Sequence, residues 1–560
     1  MNRTAVTPAA RQSAAAPDDP RKEPTRVARA DTFRVLIADA IVAGGLTPLV
    51  GDDRFDVIQR SGLSPDQLAD ALRDVEAVIV RSSSRITRES LRHADRLRVI
   101  GRAGVGVDNI DVDAATERGI AVLNARAGNT ISAAELTFAL LLAAARRLAA
   151  ADRSMKAGEW DRKTYSGIEL HGKTLGLVGA GRIGGEVARR ARAFGMHVVA
   201  YDPFLTADRA KTLDIELATL DEVLDRADVL SLHVPLTDAT SGLIGADQLA
   251  RLRQGAYVVN AARGGVLDED ALCRALEDGR LGGAALDVFA DEPLPPDHPL
   301  RSAPNVVLTP HLGAATAEAQ QNVALEISEA VRDTLLNGDL SRAVNAPAIG
   351  GETMSRLGPL LDLAERLGRL GSALADGAIQ TVDLRYAGDA EDGLRMLGAA
   401  ALVGVLGKVV GRGAVNLVNA AHIAQTRGIT LGRTRLAQHA NYAEYVEVEV
   451  KGNGGSTLVA GALLDAAHPR VVRVNDFHVH IRPYGALLVL RNRDVPGVIG
   501  HVGTVLGAAG VNIAEYHQAR FEQGGEALAA INVDGWVSEN VLASLRELNE
   551  LLAVRQVQLD

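Results

Sequence analysis

The segment from Lys173 to Pro203, KTLGLVGAGRIGGEVARRARAFGMHVVAYDP, constrains the fold more than any other part of the chain. Leu175 to Val178 is a short apolar run with the length of a buried strand. Gly179, Gly181 and Gly184 then complete a G-x-G-x-x-G, and Val187 to Phe194 continue at helical spacing. A second apolar run, Met196 to Tyr201, ends on Asp202. Strand, glycine turn, helix, strand and acid together make a dinucleotide-binding fingerprint. The first glycine permits a tight turn, the second lets the backbone approach a pyrophosphate, and the third lets helix and strand pack closely. The helix N-terminus faces the phosphate charge. Asp202 lies 18 residues after Gly184, where a carboxylate accepts hydrogen bonds from ribose hydroxyls and repels a 2′-phosphate. The pattern points to NAD and away from NADP.

A chain of 560 residues has room for three or four domains. Its 47% hydrophobic and 23% charged residues are those of a globular protein, and a net charge of −10 argues against a nucleic-acid partner. The single cysteine, Cys273, excludes an intrachain disulfide, reads as a small buried residue, and agrees with a cytoplasmic location. The most apolar stretch read from the sequence, Ala133 to Ala145, contains Glu135 and stops at Arg146, short of a membrane span. Neither a membrane partner nor a metal centre is expected. Residues 1–31, rich in Ala, Pro, Arg and Asp, read as a disordered tail.

Folding is expected to start at Phe33, with strands in RVLIAD, EAVIV and LRVIG and a fourth from Ile120 to Leu123. A long helix, Ser132 to Ala150, leads into the fingerprint. Past Pro203 the alternation continues, and each apolar run ends in a loop carrying Pro, Gly, Arg, Glu or His. In a doubly wound sheet such loops converge on one crevice outside the carboxyl ends of the strands. The helix from Ala315 to Leu336 returns to the first half. The expected fold is therefore α/β, with two doubly wound Rossmann-like domains: a discontinuous one over 32–130 and 315–345, and a dinucleotide domain over 131–314. Residues 346–482 form a small α+β domain, with a helix from Met354 to Ala375 and strands at Tyr445 to Lys451 and Arg470 to Ile481. Residues 483–560 read as a ferredoxin-like βαββα unit, short of a last strand unless Arg555 to Leu559 supplies it.

Dinucleotide chemistry needs a cation for the substrate's charge and a group to take the hydroxyl proton. Arg263, in NAARGG, can grip a carboxylate with two parallel hydrogen bonds. His311, in TPHLGA, can accept the proton, and Glu292, in DVFADEP, can pair with the imidazolium and fix its tautomer. Each alone also reads as an ordinary surface arginine, turn acid or loop histidine. Together, at strand ends downstream of a dinucleotide turn, they form a candidate catalytic set.

The motifs RSSSRIT, GRAGVGVDNID, GNTISAAELT, GAGRIGGEVA, NAARGGVLDEDAL, ALDVFADEP and TPHLGAAT resemble those of the D-2-hydroxyacid dehydrogenases. With the C-terminal additions, the chain is similar to their long phosphoglycerate-oxidising branch, which carries an intervening regulatory domain and a C-terminal ACT domain. That resemblance implies NAD-dependent oxidation of 3-phospho-D-glycerate to 3-phosphohydroxypyruvate, the opening step of L-serine biosynthesis. It implies that Arg263 binds the carboxylate, that His311 is the acid–base and that Glu292 is its partner. Arg81, Ser82, Arg102 and Asn129 match substrate-contacting positions, and Arg162 matches one that reaches a neighbouring subunit's site in a dimer or tetramer. Gly179, Gly181, Arg182, Ile183, Gly184, Asp202, Ala262, Asp287 and Gly313 match NAD-contacting positions. Val105 departs from a threonine found in some relatives. An amino-acid effector, expected to be L-serine, would sit between paired ACT domains against Asn492, Asp494 and Asn512. Asn492 stands where the family often carries His or Tyr, and Val495 replaces a common Arg. The alternatives are a dehydrogenase of glyoxylate or lactate type and a non-catalytic NAD-sensing regulator.

Overall fold

The computed structural model of the protein describes residues 32–560 apart from 391, 392, 412, 440 and 466, so the expected tail at residues 1–31 lies outside the described residues. Strands β1 (Phe33–Ile37), β2 (Phe55–Gln59), β3 (Ala77–Val80), β4 (Val99–Arg102) and β5 (Ala121–Asn124) pair in parallel in the order β2-β1-β3-β4-β5. The sequence reading missed β2. It lies at the sheet edge with most residues only half covered, so it lacks the continuous apolar run that burial on both faces imposes on β3.

The fingerprint opens a second parallel sheet. Strands β6 (Thr174–Val178), β7 (His197–Tyr201), β8 (Glu216–Leu217), β9 (Val229–Leu232), β10 (Ala256–Asn260), β11 (Leu281–Leu286) and β12 (Val306–Leu308) stand in the order β12-β11-β10-β9-β6-β7-β8. Two helices, Thr130–Ala145 and Ala317–Asn337, lie in the stretches of chain that join the two sheets. The expected helix from Ser132 to Ala150 is broken: Arg147 turns left-handed at φ 50°, and a separate helix, Leu148–Lys156, follows. The apolar face that packs on β10, β11 and helix Arg182–Ala193 ends at Ala145, and two arginines then follow. The outgoing and returning segments are tied together by Glu326, a buried carboxylate on the returning helix. It accepts hydrogen bonds from the backbone N–H groups of Arg126 (3.0 Å), Ala127 (3.0 Å) and Gly128 (2.8 Å), and pairs with Arg342.

Residues beyond 350 build two further sheets. Strands β13 (Ile379–Ala387), β14 (Thr430–Arg435), β15 (Tyr445–Gly452), β16 (Gly455–Leu464), β17 (His468–Val474) and β18 (Phe477–Ile481) pair in the order β14-β13-β15-β16-β17-β18. Only β13 and β14 run parallel. The single strand expected over Arg470 to Ile481 is a hairpin, turned by Asn475 at φ 51°, a conformation that asparagine tolerates. Helices Gly351–Leu374 and Gly393–Val410 pack on one another and on this sheet. Gly393–Val410, and not the stretch chosen from the sequence, is the helix among the described residues that is long and apolar enough to cross a membrane. Here Met396, Leu397, Ala401, Leu402 and Val405 are buried in the core.

The last sheet is antiparallel, in the order β20-β21-β19-β22, with β19 (Ala486–Arg493), β20 (Ile513–Arg520), β21 (Glu526–Val533) and β22 (Leu551–Gln558). Helices Val498–Ala508 and Glu539–Arg546 cover one face. The unit is thus βαββαβ, and β22 is a full strand beginning four residues before the fragment expected from sequence. Its other face (Leu487, Val489, Leu528, Ala530) joins one continuous core with the third sheet, helix Ala317–Asn337 and the first sheet. The second sheet keeps cores of its own. Polar ties reinforce these joins: Asn345 Oδ1, in the segment leading to the third sheet, accepts from Val122 N (2.9 Å), and Asn416 Nδ2 donates to the Gly119 carbonyl (2.8 Å) across the seam between first and third sheets.

Candidate active site

Loops at the carboxyl ends of the two parallel sheets enclose a cleft of about 680 Å³. One wall carries Arg81 and Ser82 after β3, Arg102 to Gly106 and Asp108 after β4, and Asn124 and Arg126 after β5. The other carries Arg182 and Ile183 after the glycine turn, His233 after β9, Ala262 and Arg263 after β10, Asp287 and Glu292 after β11, and His311 and Gly313 after β12. Parallel strands deliver all these loops to one side of each sheet, which is why segments so distant in sequence meet.

The glycine turn is shaped by packing. Gly179 has φ 92°, and a Cβ on Gly184 would lie 2.3 Å from the Gly179 carbonyl oxygen. Gly181 faces open space, leaving room for a ligand. Asp202 accepts hydrogen bonds from Ala180 N and Phe204 N, both 2.9 Å, which fixes its carboxylate against the turn. Asn129 Oδ1 and Thr130 Oγ1, at the start of helix Thr130–Ala145, are buried without a partner, a state that a bound polar ligand relieves. These residues fit NAD: the turn and the N-terminus of helix Arg182–Ala193 would hold the pyrophosphate, and Asp202 the adenosine ribose. His233, missed as a cleft residue in the sequence, lines the same space with Nε2 2.9 Å from Ser231 Oγ. Desolvation pushes its imidazole pKa down to about 4, so it is neutral at physiological pH.

His311 and Glu292 meet as a pair, with Nδ1 2.8 Å from Oε2. Glu292 Oε1 accepts from Phe289 N (3.1 Å), which orients the carboxylate, and Nε2 of His311 is left for a substrate. His311 itself is left-handed, at φ 55°. Asp287 holds it there. That fully buried carboxylate accepts from Thr309 Oγ1 (2.6 Å), Leu312 N (2.7 Å) and Gly313 N (2.9 Å), while the Asp287 carbonyl accepts from His311 N (2.9 Å). Asp287 was expected as a cofactor contact; its carboxylate is engaged by the loop that carries His311.

Three guanidinium groups converge opposite this pair. Arg263 donates from Nη1 to its neighbour's carbonyl, Ala262 O (2.6 Å), and its backbone is braced by Asn260 Nδ2 (2.9 Å). Arg102 is mostly buried, with Nε unpartnered. Desolvation first, then the Arg263 charge, pulls its pKa down to about 10, which leaves it a cation at neutral pH. Arg81 is presented by a loop that Asp39 anchors, accepting from Arg81 N (2.5 Å) and Ser84 Oγ (2.7 Å). Asn109 Nδ2 donates to the carbonyls of Arg81 and Ser84, both 2.6 Å. Arg162 stands apart, exposed on the loop before β6 and outside the cleft lining.

Of the three residues expected to hold an effector, Asn492 and Asp494 lie together at the end of β19, and Asn512 stands apart from them. Asn492 is fully buried, with Oδ1 unpartnered. Asp494, expected to receive an ammonium group, is paired with Arg520 Nη1 (2.8 Å) and Gly524 N (3.1 Å), and the Arg520 hydrogen bond holds its carboxyl below the usual range. Asn512 bonds Asp534 Oδ2 through Nδ2 (2.8 Å). Asp494 N binds Gly525 O just before β21, while Asp534 N binds Asn512 O just after it. Asp494 and Asn512 are therefore a strand length apart, about 25 Å. No single-chain site combines them.

Residues 138–313 match the profile of the D-isomer specific 2-hydroxyacid dehydrogenase NAD-binding domain, and residues 356–475 that of the D-3-phosphoglycerate dehydrogenase intervening domain. The chain is 39% identical to D-3-phosphoglycerate dehydrogenase of Methanocaldococcus jannaschii, over 94% of this chain and 100% of that one. The figures are the same for the Bacillus subtilis enzyme, and 40%, 92% and 93% for that of Synechocystis. Among solved structures, a Thermus thermophilus protein aligns at a TM-score of 0.51 and 38% identity, covering 56% of this chain and all of that one. A glyoxylate reductase from Paecilomyes thermophila aligns at 0.52 and 32%, covering 56% and 98%. With relatives this similar along almost its whole length, the chain is an NAD-dependent dehydrogenase and belongs to the D-3-phosphoglycerate dehydrogenase family.

Proposed function

We propose that the chain oxidises 3-phospho-D-glycerate at C2 to 3-phosphohydroxypyruvate, the first step of L-serine biosynthesis. The observation that carries this reading is the His311–Glu292 pair facing three guanidinium groups across one cleft. Arg263 grips the carboxylate, and Arg81 and Arg102 neutralise the phosphate, with Ser82 and Asn129 as polar contacts. Nε2 of His311 takes the hydroxyl proton while Glu292 stabilises the imidazolium. Bound NAD would supply the acceptor for the hydride leaving C2, so that each turnover would yield one oxo acid, one NADH and one proton.

In this reading residues 32–130 with 315–345 bind substrate, 131–314 bind NAD, 346–482 form the intervening unit, and 483–560 are an ACT unit in a cytoplasmic homo-oligomer. L-serine acts across two copies, since Asp494 and Asn512 of one chain stand too far apart, and Arg162 reaches a neighbouring cleft. NADH production by the purified protein from 3-phosphoglycerate, glyoxylate-type and lactate-type acids tests the substrate. A higher kcat/KM on any of the others refutes it. His311→Ala is expected to lower turnover about 10²- to 10⁴-fold, the usual worth of general acid–base catalysis. Millimolar L-serine that leaves both rate and melting temperature unchanged refutes the effector.

A further inference from the structure

Three carboxylates line the cleft: Asp108, Asp287 and Glu292. Asp287 is engaged by the His311 loop, and Glu292 by His311 and Phe289 N. Asp108 alone of the three has no hydrogen bond among the described residues. Its one ion-pair partner among the described residues is Arg263, with Oδ2 3.7 Å from Nε; its charge also reaches Arg102, and its side chain is 75% exposed. Nη1 of Arg263 is already turned back to Ala262 O, so the Nε edge is the one left for a substrate carboxylate. Gly106 makes the approach possible. A Cβ there would lie 2.4 Å from Arg263 Nη2 and 2.6 Å from Asp108 Oδ2, between the two groups.

We propose that Asp108 is a charge placeholder: it occupies the Nε edge of Arg263 until a substrate carboxylate displaces it, and so makes the cleft discriminate among anions. This inference rests on the reading of Arg263 as the carboxylate-binding residue. Three guanidinium groups at one site would otherwise trap any small anion. A resident carboxylate raises the threshold, so that a ligand carrying a carboxylate and a second anionic group enters while simple inorganic anions are turned away. Asp108 is thus a specificity-determining residue for carboxylate-bearing substrates. The other acid near the arginines, Asp39, cannot serve, because both its oxygens hold the Arg81–Ser84 loop.

The test compares wild type with Asp108→Asn and Asp108→Glu, using sulfate as the probe anion. Sulfate affinity is read by calorimetry on the NADH-loaded protein, and KM and kcat by turnover, each at low and high sodium chloride. Asp108→Asn is expected to tighten sulfate and lower KM about 2- to 5-fold, the range of an exposed ion pair, with a smaller change in kcat. The difference from wild type should close at high salt, where exposed charges are screened, and Asp108→Glu should keep the wild-type weakness toward sulfate. Unchanged sulfate affinity, or a raised KM in Asp108→Asn, overturns the inference, the latter by showing that Asp108 orients Arg263. If wild type fails on 3-phosphoglycerate but Asp108→Asn still tightens sulfate, the substrate reading falls and the placeholder stands.

Discussion

Asp287→Asn is the sharpest probe of the site, because it changes one atom in a place where geometry fixes the consequence. The carboxylate accepts three hydrogen bonds, two on Oδ1 and one on Oδ2. An asparagine can keep Thr309 and Leu312 on its carbonyl, but its amide then points N–H at the N–H of Gly313. One charge-assisted bond is lost and two become neutral ones. At about 1.5–3 kcal/mol for a bond to a charged group and about 1 for a neutral one, the variant gives up roughly 2.5–7 kcal/mol of restraint on the loop. His311, at φ 55°, resists that restraint by about 1–2 kcal/mol, the strain of a left-handed residue that is not glycine. The variant therefore releases His311 in a sizeable fraction of molecules. Displacement by about 1 Å lowers rates by up to about 10²-fold, so kcat is expected to fall about 10- to 100-fold. NADH fluorescence titration should show an affinity within about 3-fold of wild type, since the glycine turn and Asp202 are untouched. A kcat near wild type would refute the positioning argument. A loss confined to NADH affinity would favour the role that resemblance implies for Asp287, a cofactor contact, over positioning.

Other outcomes follow from the same geometry. Asp202→Ala removes the carboxylate held by Ala180 N, and should weaken NAD and raise the relative kcat/KM for NADP; an unchanged ratio would mean that another group reads the ribose. His233 has a folded pKa of about 4 against about 6.5 unfolded, so between those values the unfolded chain binds more protons and stability rises with pH. Urea melts at pH 7 and pH 4.5 should differ by about 2–3 kcal/mol more in wild type than in His233→Asn, and an equal pH dependence would refute the burial argument. Glu326→Gln halves the acceptor capacity gripping Arg126 to Gly128 and should lower the melting temperature, with a loss of about 1–3 kcal/mol.

What the sequence revealed was whatever burial or turn chemistry writes locally. The β6–turn–β7 unit and the loops bearing Arg263, Glu292 and His311 were legible because parallel strands covered on both faces must be continuous apolar runs. Edge strand β2 was not, since half-exposed positions admit charges such as Asp56. The broken helix at Arg147 turns on a single dihedral angle. Asp287 was recognised by resemblance, but its use was hidden, because backbone N–H donors look alike in every sequence. Asp108 acquires meaning only from its apposition to Arg263 across two sheets. The separation of Asp494 from Asn512 depends on strand register, which β19 and β21 set by pairing antiparallel.

The core that runs unbroken from the first sheet through helix Ala317–Asn337 to the last sheet, beside a second sheet with cores of its own, implies a chain that unfolds in two calorimetric units. On this packing, three of the four sheets are expected to melt as one cooperative block and the second sheet as another. A ligand stabilises the block it touches by RT ln(1 + [L]/Kd), and the other only through what couples them. NAD at about 100 times its Kd adds about 2.7 kcal/mol to the second-sheet block. A single broad endotherm without NAD should split with it into two, the lower staying near its original temperature while the upper climbs with NAD concentration.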